Sequence, residues 1–125
     1  MGYDILLVDD SPTVRAVIKK TLNLAGIETG ELHEAANGKD ALDIVANRSV
    51  DFVFADINMP VMNGIEMVDE MKRRQLLERV PVIVVSTEGS KTRIEELKAK
   101  GVSAYVRKPF TPEVLRNVVN NIMGE

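Results

Sequence analysis

The sequence predicts a single α/β domain, in which helices cover both faces of a parallel β-sheet. Two patterns along the chain support this prediction. Short apolar runs, bounded by turn-forming residues, are typical of strands that are buried on both faces of a sheet. Between them lie segments whose apolar residues recur at the spacing of an amphipathic helix. Because strand and helix alternate along the chain, we expect parallel strands joined by right-handed crossovers, with nothing left over for a second domain.

The first strand and the first helix meet at an acidic turn. Residues 5–8 form an apolar run that ends at Asp9 and Asp10. Ser11 and Pro12 then have the residue types that favour an N-cap and the first position of a helix. Apolar residues continue at helical spacing until a glycine ends the helix.

The second strand has the weakest signal. Residues 27–36 are polar, are interrupted by glycine and contain the chain's single histidine, His33. We expect a short strand of edge character near residues 32–35, followed by a helix around residues 41–45. Because the sequence has no cysteine or second histidine to share a metal with His33, we expect this histidine at the surface.

The third strand is the centre of the predicted sheet. Residues 52–55 read Phe-Val-Phe-Ala and end at Asp56, and Pro60 interrupts the chain before a helix around residues 65–71. A carboxylate at the end of a buried strand costs free energy to desolvate unless positive charge meets it. Open α/β sheets bind their ligands at the carboxyl ends of strands, where Asp56 would lie. Asp56 is therefore the first candidate functional residue.

Two further units complete the predicted sheet. The pattern predicts strand 81–86 with helix 90–100, and strand 104–107 with a final helix over 112–122. The first of these strands ends at Ser86, and the second is followed by Lys108. Both strands therefore bring a polar side chain to the edge where Asp56 is expected.

Composition and charge narrow the possible functions. A chain of 125 residues with a net charge of −3 can bury one core, but it lacks the basic surface of a general nucleic-acid binder. The absence of cysteine excludes disulfides and thiolate metal sites. The chain starts without a signal-peptide pattern, and no window is apolar enough to span a bilayer. We therefore expect a cytoplasmic protein without membrane insertion.

Parallel strands bring their carboxyl ends to one edge of the sheet, so several polar residues are expected to converge there. They are Asp9, Asp10, Asp56, Ser86 and Lys108. Each alone is typical of a turn or a helix cap, but the whole set at strand ends indicates a site. At an effective dielectric constant near 20, two carboxylates about 5 Å apart repel by roughly 3 kcal/mol, which one lysine offsets only in part.

A hard divalent cation would resolve this repulsion. Oxygen ligands without histidine or cysteine favour Mg²⁺, with Mn²⁺ as an alternative. The backbone carbonyl of Asn58 is a candidate for a further ligand beside the three carboxylates. Such a site would attract a phosphoryl group, with Asp56 as the nucleophile that forms an acyl phosphate. Lys108 would neutralise phosphoryl oxygens, and Ser86 would donate a hydrogen bond to one of them.

Four motifs make the chain similar to a known family. They are Val8-Asp9-Asp10-Ser11, Asp56-Ile57-Asn58-Met59-Pro60 with Met62-Asn63-Gly64, Ser86-Thr87, and Lys108-Pro109-Phe110. Over essentially its whole length the chain resembles the receiver domain of bacterial two-component response regulators, particularly the single-domain chemotaxis regulators. This resemblance implies a flavodoxin-like (βα)5 doubly wound fold, with a five-stranded parallel sheet of order 2-1-3-4-5.

The resemblance also implies roles for individual residues. Asp56 would be the phospho-acceptor, Asp9 and Asp10 the acidic pair that serves the metal, and Lys108 the phosphate-binding lysine. Ser86 would be the switch hydroxyl that responds to the phosphoryl group.

Four other residues have roles implied by the same resemblance. Tyr105 corresponds to the family's switch aromatic, and it could also be a half-buried ring packed on the last strand. Thr87 stands where the family usually has a small residue, so its bulk would restrict access to the phosphoryl group. Asn58 and Glu88 match residues that border the path of the hydrolytic water, which implies a short-lived phosphoryl state. The alternative for both is a solvated loop position.

Together these features imply a stand-alone response regulator over residues 1–125, without an output domain. It would be a signalling domain, not an enzyme, that accepts a phosphoryl group from a chemotaxis-type sensor histidine kinase and then dephosphorylates itself. Its fourth helix, last strand and final helix would contact a flagellar motor switch protein, a phosphatase or another downstream protein, and not DNA. Two alternatives stay open: a degenerate receiver that acts as an unphosphorylated scaffold, and a Mg²⁺-dependent aspartyl phosphatase.

Overall fold

The computed structural model describes residues 2–87 and 89–124, where five strands alternate with five helices. The strands are β1 (Tyr3–Val8), β2 (Thr29–Ala35), β3 (Phe52–Ala55), β4 (Val82–Ser86) and β5 (Ala104–Arg107). The helices are α1 (Pro12–Leu24), α2 (Gly38–Asn47), α3 (Gly64–Arg73), α4 (Lys91–Lys100) and α5 (Pro112–Met123). Every predicted element is present, with several boundaries shifted by a few residues. In the described part of the chain, no helix has both the length and the apolar character that crossing a membrane requires.

The strands pair in parallel in the order β2-β1-β3-β4-β5, which confirms the predicted fold and strand order. All four residues of β3 are buried, in agreement with its apolar sequence. The strand β2 lies at the edge, as predicted, but it begins at Thr29 and not near residue 32. Its pairing with β1 starts at Tyr3 and shifts register before Ile5. Backbone pairing therefore extends β2 through residues 29–31, which show no alternation of apolar and polar residues that would predict a strand.

Alternate residues of the central strands face two separate apolar layers. Leu6 and Val8 belong to a cluster that includes residues of α2, α3 and α4. Ile5 and Leu7 belong to a second cluster, with residues of α1 and α5. The helices thus cover both faces of the sheet, as the alternation of the sequence predicts. Met67 is 1% exposed in the first cluster, as expected for a core residue.

A side-chain cap begins each of the five described helices. The capping residues are Ser11, Asn37, Asn63, Ser90 and Thr111, and each accepts a hydrogen bond from a backbone N–H in the first turn. Such caps satisfy N–H groups that a helix leaves without a partner. The predicted cap at Ser11 is confirmed. Each loop at the carboxyl edge of the sheet is therefore held between a strand and a capped helix.

An ion-pair network fastens α1 to the edge strand β2. Glu34 accepts hydrogen bonds from Arg15 Nε at 2.8 Å and from Lys19 Nζ at 2.6 Å. Arg15 also donates through Nη1 to the backbone carbonyl of Asp9. The hydrogen bond from Lys19, followed by that from Arg15, lowers the pKa of Glu34 below its ordinary value. The network therefore links β2 and α1 to the acidic turn that follows β1.

We expect the variant Glu34→Gln to be less stable than wild type at pH 7 and equally stable near pH 2. Because the pKa of Glu34 is lower in the folded state, its stabilisation is complete above the ordinary value of 4.5 and is lost as the pH falls through the folded value. The Glu34 side chain is 35% exposed, so solvent screening limits the loss at pH 7 to about 0.5–1 kcal/mol.

Urea unfolding of both proteins at the two pH values measures this difference. Glu31→Gln is a suitable control, because the side chain of Glu31 is 77% exposed and lies 3.5 Å from its partner His33. A Glu34→Gln deficit of equal size at both pH values would contradict an electrostatic origin.

Candidate functional site

Three carboxylates from two neighbouring strands meet at the carboxyl edge of the sheet. Asp9 and Asp10 follow β1, and Asp56 follows β3. One carboxylate oxygen from each residue lies within 4.8 Å of the other two. Asp9 is buried, Asp56 is partly buried and Asp10 is exposed, so the cluster opens to solvent on one side. The convergence expected from parallel strand ends is therefore present.

The backbone holds Asp9 in place from two directions. Its N–H donates to the carbonyl of Ala35 at the end of β2, at 3.0 Å. Its Oδ1 accepts a hydrogen bond from the N–H of Ser11 at 2.9 Å, in the turn that leads to α1. Because Asp9 is only 2% exposed, these contacts fix its carboxylate inside the cluster.

Asp56 is held just as firmly. Its N–H donates to the carbonyl of Val8 at 2.9 Å, and its Oδ1 accepts from the N–H of Ile57 at 2.8 Å. Gly64 closes the following loop by donating its N–H to the carbonyl of Ile57 at 2.8 Å. A Cβ atom at Gly64 would lie 2.2 Å from the backbone oxygen of Asp56, so a larger residue there would displace the loop.

Lys108 brings one positive charge into the cluster. Its Nζ lies 3.3 Å from Asp9 Oδ2 and 3.9 Å from Asp56 Oδ2. Its backbone N–H donates to the carbonyl of Ser86 at 2.8 Å, which fixes the lysine beside the end of β4. The lysine and the three carboxylates of the cluster together carry a net charge of −2 when all four are ionised.

The pKa of Asp56 is raised above its ordinary value. Burial is the largest cause, and the negative charge of Asp9 adds to it. The positive charge of Lys108 and hydrogen bonds from the backbone N–H groups of Ile57 and Asn58 act in the opposite direction. Burial prevails, so the folded protein disfavours the ionised form of Asp56 when no cation is bound.

The donor set fits a hard divalent cation. Oxygen atoms of three carboxylates lie close enough to share one ion, and one face of the cluster is open to the waters that Mg²⁺ retains. The described residues offer no nitrogen or sulfur ligand within this cluster, which favours Mg²⁺ over zinc.

Ser86 and Tyr105 lie on the adjacent strands β4 and β5. Ser86 is the last residue of β4 and is completely buried. It pairs with Arg107 of β5, two residues beyond Tyr105, so Tyr105 and Arg107 point to the same face of the sheet. Tyr105 is half-buried and packs against the apolar cluster beneath α4. Thr87 follows Ser86 and is exposed.

The structure places two of the three remaining residues that the sequence analysis singled out, Asn58, Glu88 and His33. Asn58 is exposed in the loop after β3, whereas Glu88 falls outside the described residues. His33, which was expected at the surface, is partly buried on the edge strand β2, with its side chain 17% exposed. Since β2 extends along β1, His33 pairs with Leu6 and is covered from one side.

Arg15 is a residue that sequence reasoning overlooked. Its guanidinium group binds the backbone carbonyl of Asp9 and is anchored by Glu34. A basic residue in the first turns of a helix that follows an acidic loop is a usable signal, but the acidic partner on β2 is distant in sequence. The contact depends on the pairing of β1 with β2, which the sequence specifies only weakly.

The sequence model of a protein family, the response regulator receiver domain, matches residues 5–120 of the chain. The chain belongs to this family. Its receiver domain is of the CheY type, since it is 39% identical over 121 residues to a chemotaxis protein CheY homolog of Campylobacter jejuni, covering 96% of this chain and 92% of the relative. It is 36% identical to chemotaxis protein CheY1 of Helicobacter pylori, with 96% of both chains covered.

Solved structures agree with this assignment. The chemotaxis protein CheY4 of Vibrio cholerae has a TM-score of 0.83 and 33% identity, covering 98% of this receiver domain and 99% of that chain. The receiver domain of the sensor histidine kinase PA1611 of Pseudomonas aeruginosa has a TM-score of 0.85 and 26% identity over the full length of both chains. That structure has a magnesium ion coordinated in its active-site cleft.

We expect Asp56→Asn to be more stable than wild type at pH 7 when divalent cations are removed with EDTA. A raised carboxyl pKa means that the folded state binds the proton more tightly than the unfolded state. Wild-type stability therefore falls as the pH rises from the ordinary value of 3.8 through the folded value, and the loss persists at neutral pH. The asparagine does not titrate and avoids this loss.

Chemical unfolding in EDTA between pH 4 and pH 8 tests this expectation. Asp43→Asn provides the control, because Asp43 is exposed on α2, far in sequence from the cluster. An Asp56→Asn variant that is no more stable than wild type at pH 7 would contradict the raised pKa of Asp56.

Proposed function

We propose that this receiver domain carries a signal by accepting a phosphoryl group on Asp56 from the phosphohistidine of a sensor kinase. The observation that supports this most strongly is the contact of Lys108 with both Asp9 and Asp56 inside the three-carboxylate cluster. A cluster that combines ionised oxygens, one ammonium group and an open side suits an incoming phosphoryl group better than an apolar substrate.

In this proposal Asp9, Asp10, Asp56 and the backbone carbonyl of Asn58 hold Mg²⁺, and Mn²⁺ would also fit. The cation would supply positive charge that balances the carboxylates and the phosphoryl oxygens. The magnesium ion in the cleft of the Pseudomonas aeruginosa receiver domain supports this part of the proposal.

The chemistry requires little more than position and charge. An oxygen of the Asp56 carboxylate attacks phosphorus in line, the new O–P bond forms, and the P–N bond to the donor imidazole breaks. The imidazole nitrogen keeps the electron pair of that bond and takes a proton from solvent. No general base is needed, because the nucleophile is already an anion. Lys108 is close enough to neutralise a phosphoryl oxygen on Asp56.

Autodephosphorylation would restore the acceptor. Water attacks the phosphorus atom, the O–P bond to Asp56 breaks, and inorganic phosphate leaves. We assign Asn58 and Glu88 to the path of this water. The exposure of Asn58 in the loop after β3 is compatible with such a role. A short phosphoryl lifetime would suit a signal that must follow a changing stimulus.

The signal would leave the site through β4 and β5. Ser86 would donate its hydroxyl to a phosphoryl oxygen, and the space that it leaves would admit the ring of Tyr105. Because Tyr105 of β5 packs against the apolar cluster that includes Leu97 of α4, its movement would change the face formed by α4, β5 and α5. The phosphoryl group can only bias two states that both exist before it arrives.

Chemotaxis is the pathway that the relatives favour. Proteins of Campylobacter jejuni and Helicobacter pylori that match nearly the whole chain are named chemotaxis proteins. We infer a cytoplasmic regulator that works by protein contact with a chemotaxis-type kinase and with a flagellar motor switch protein, a phosphatase or another relay component. Its self-directed phosphoryl chemistry would make it a signalling domain without an external substrate.

Exposure to Mg²⁺ and a small phosphodonor tests the proposal. We expect phosphoramidate or acetyl phosphate to add one base-labile phosphoryl group per chain, detected by intact mass. The adduct should be absent from Asp56→Asn and present in the control Asp43→Asn, and EDTA should suppress it. Beryllofluoride should bind wild type and not Asp56→Asn. A wild-type chain that stays unmodified with Mg²⁺ present would favour the unphosphorylated scaffold instead.

A further inference from the structure

Val61 combines a left-handed backbone, a β-branched side chain and high exposure. Its φ angle is 66°, and the residue is 76% exposed. The backbone N–H of Met62 donates to the carbonyl of Pro60 at 2.7 Å, which makes Val61 the central residue of a tight γ-turn. This turn lies in the loop between β3 and α3, and that loop begins at the acceptor Asp56.

The backbone of Val61 is strained for a valine. β-Branched residues rarely adopt positive φ, whereas glycine and asparagine do so at much lower cost. Gln75 also has a positive φ of 61°, but it follows α3, where the N–H of Leu76 closes the helix on the carbonyl of Met71 at 2.8 Å. A residue with a left-handed backbone commonly ends a helix, as Gln75 does, whereas Val61 precedes a helix. Its exposed side chain also gains little from packing within the described chain.

The loop holds Val61 at the rim of the acceptor site. One end is bound to Asp56 Oδ1 by the N–H of Ile57 at 2.8 Å, and the other end is Gly64, which abuts the backbone oxygen of Asp56. The carbonyl of Met62 accepts from the N–H of Gly38 at 2.8 Å, so α2 supports the turn. Gly64 is the third residue after Val61, so their Cα atoms lie within about 11 Å of each other.

We propose that Val61 is a contact and specificity residue for the protein that donates the phosphoryl group to Asp56. The inference rests on the proposed function, because a phosphohistidine must then reach an acceptor whose side chain is only 14% exposed. The donor protein therefore covers the rim. A standard interface buries about 800 Å² per partner, which corresponds to a disc of about 16 Å radius. A disc of this size that is centred on Asp56 includes Val61.

Exposure alone would not support a contact role, because single exposed apolar residues are common. The additional observation is that the turn exposes this apolar side chain although a β-branched residue disfavours the positive φ of the turn. Strained backbone conformations cluster at active sites and ligand-binding sites, and neither packing nor a helix end accounts for the strain at Val61. A donor protein that docks over this rim would bury the exposed side chain of Val61.

Comparison of two phosphodonors separates protein docking from phosphoryl chemistry. Phosphoramidate has the same P–N bond as phosphohistidine and no protein surface. The second donor is a set of phosphorylated histidine-phosphotransfer domains of the chemotaxis-type kinases from the same genome. For wild type, Val61→Asn and the control Leu24→Asn, kcat/KM is measured with each donor and expressed as the ratio of protein donor to phosphoramidate. Leu24 is 65% exposed but ends α1, away from the acceptor.

We expect Val61→Asn to lower this ratio about fivefold, mainly through KM, while Leu24→Asn keeps the wild-type ratio. Relief of backbone strain should also raise the melting temperature of Val61→Asn by about 3 °C. A Val61→Asn ratio within twofold of wild type overturns the inference, and so does an equal fall in Leu24→Asn or a melting temperature that does not rise. A wild-type chain that uses phosphoramidate but none of the protein donors also counts against it. Wild type that reacts with neither donor contradicts the proposed function itself.

Discussion

Mutual repulsion of three carboxylates in one small volume is the constraint on which the candidate site depends. Oxygens of Asp9, Asp10 and Asp56 lie within 4.8 Å of one another, and burial raises the pKa of Asp56. At such distances each pair of charges repels by roughly 3 kcal/mol at an effective dielectric constant near 20. Lys108 offsets part of this repulsion, since it lies 3.3 Å from Asp9 and 3.9 Å from Asp56. The negative charge that remains makes a divalent cation the natural occupant of the cluster.

The fold creates this crowding because its central strands are adjacent and parallel. Apolar residues bury β1 and β3 in the middle of the sheet, and the acidic residues follow at the same edge. The hydrogen bond from the N–H of Asp56 to the carbonyl of Val8 and the cap at Ser11 fix the backbone beside Asp9 and Asp56. Core packing thus supplies the free energy that holds like charges together. The same sheet connects the site to Ser86 and Tyr105, and so to a surface that other proteins can contact.

Much of this arrangement follows from short-range patterns in the sequence. The apolar runs, caps and glycines predict the ten elements, and parallel strands require that Asp9, Asp56 and Lys108 meet. Details that depend on long-range pairing are harder to predict. The extension of β2 to Thr29 and the partial burial of His33 arise from pairing with β1, and the bond from Arg15 to the carbonyl of Asp9 depends on the same neighbour. The positive φ of Val61 could not be predicted from the sequence either, because valine rarely adopts a positive φ.

The melting temperature as a function of Mg²⁺ concentration tests the central claim most directly. Ligand that binds the folded state alone stabilises it by RT ln(1 + [L]/Kd), which is about 2.7 kcal/mol at one hundred times Kd. At pH 7 and constant ionic strength, we predict that the melting temperature of wild type rises with Mg²⁺ and that this rise is strongly reduced in Asp10→Asn. An identical response to Mg²⁺ and to NaCl of equal ionic strength would contradict the claim that these carboxylates are held together for a cation.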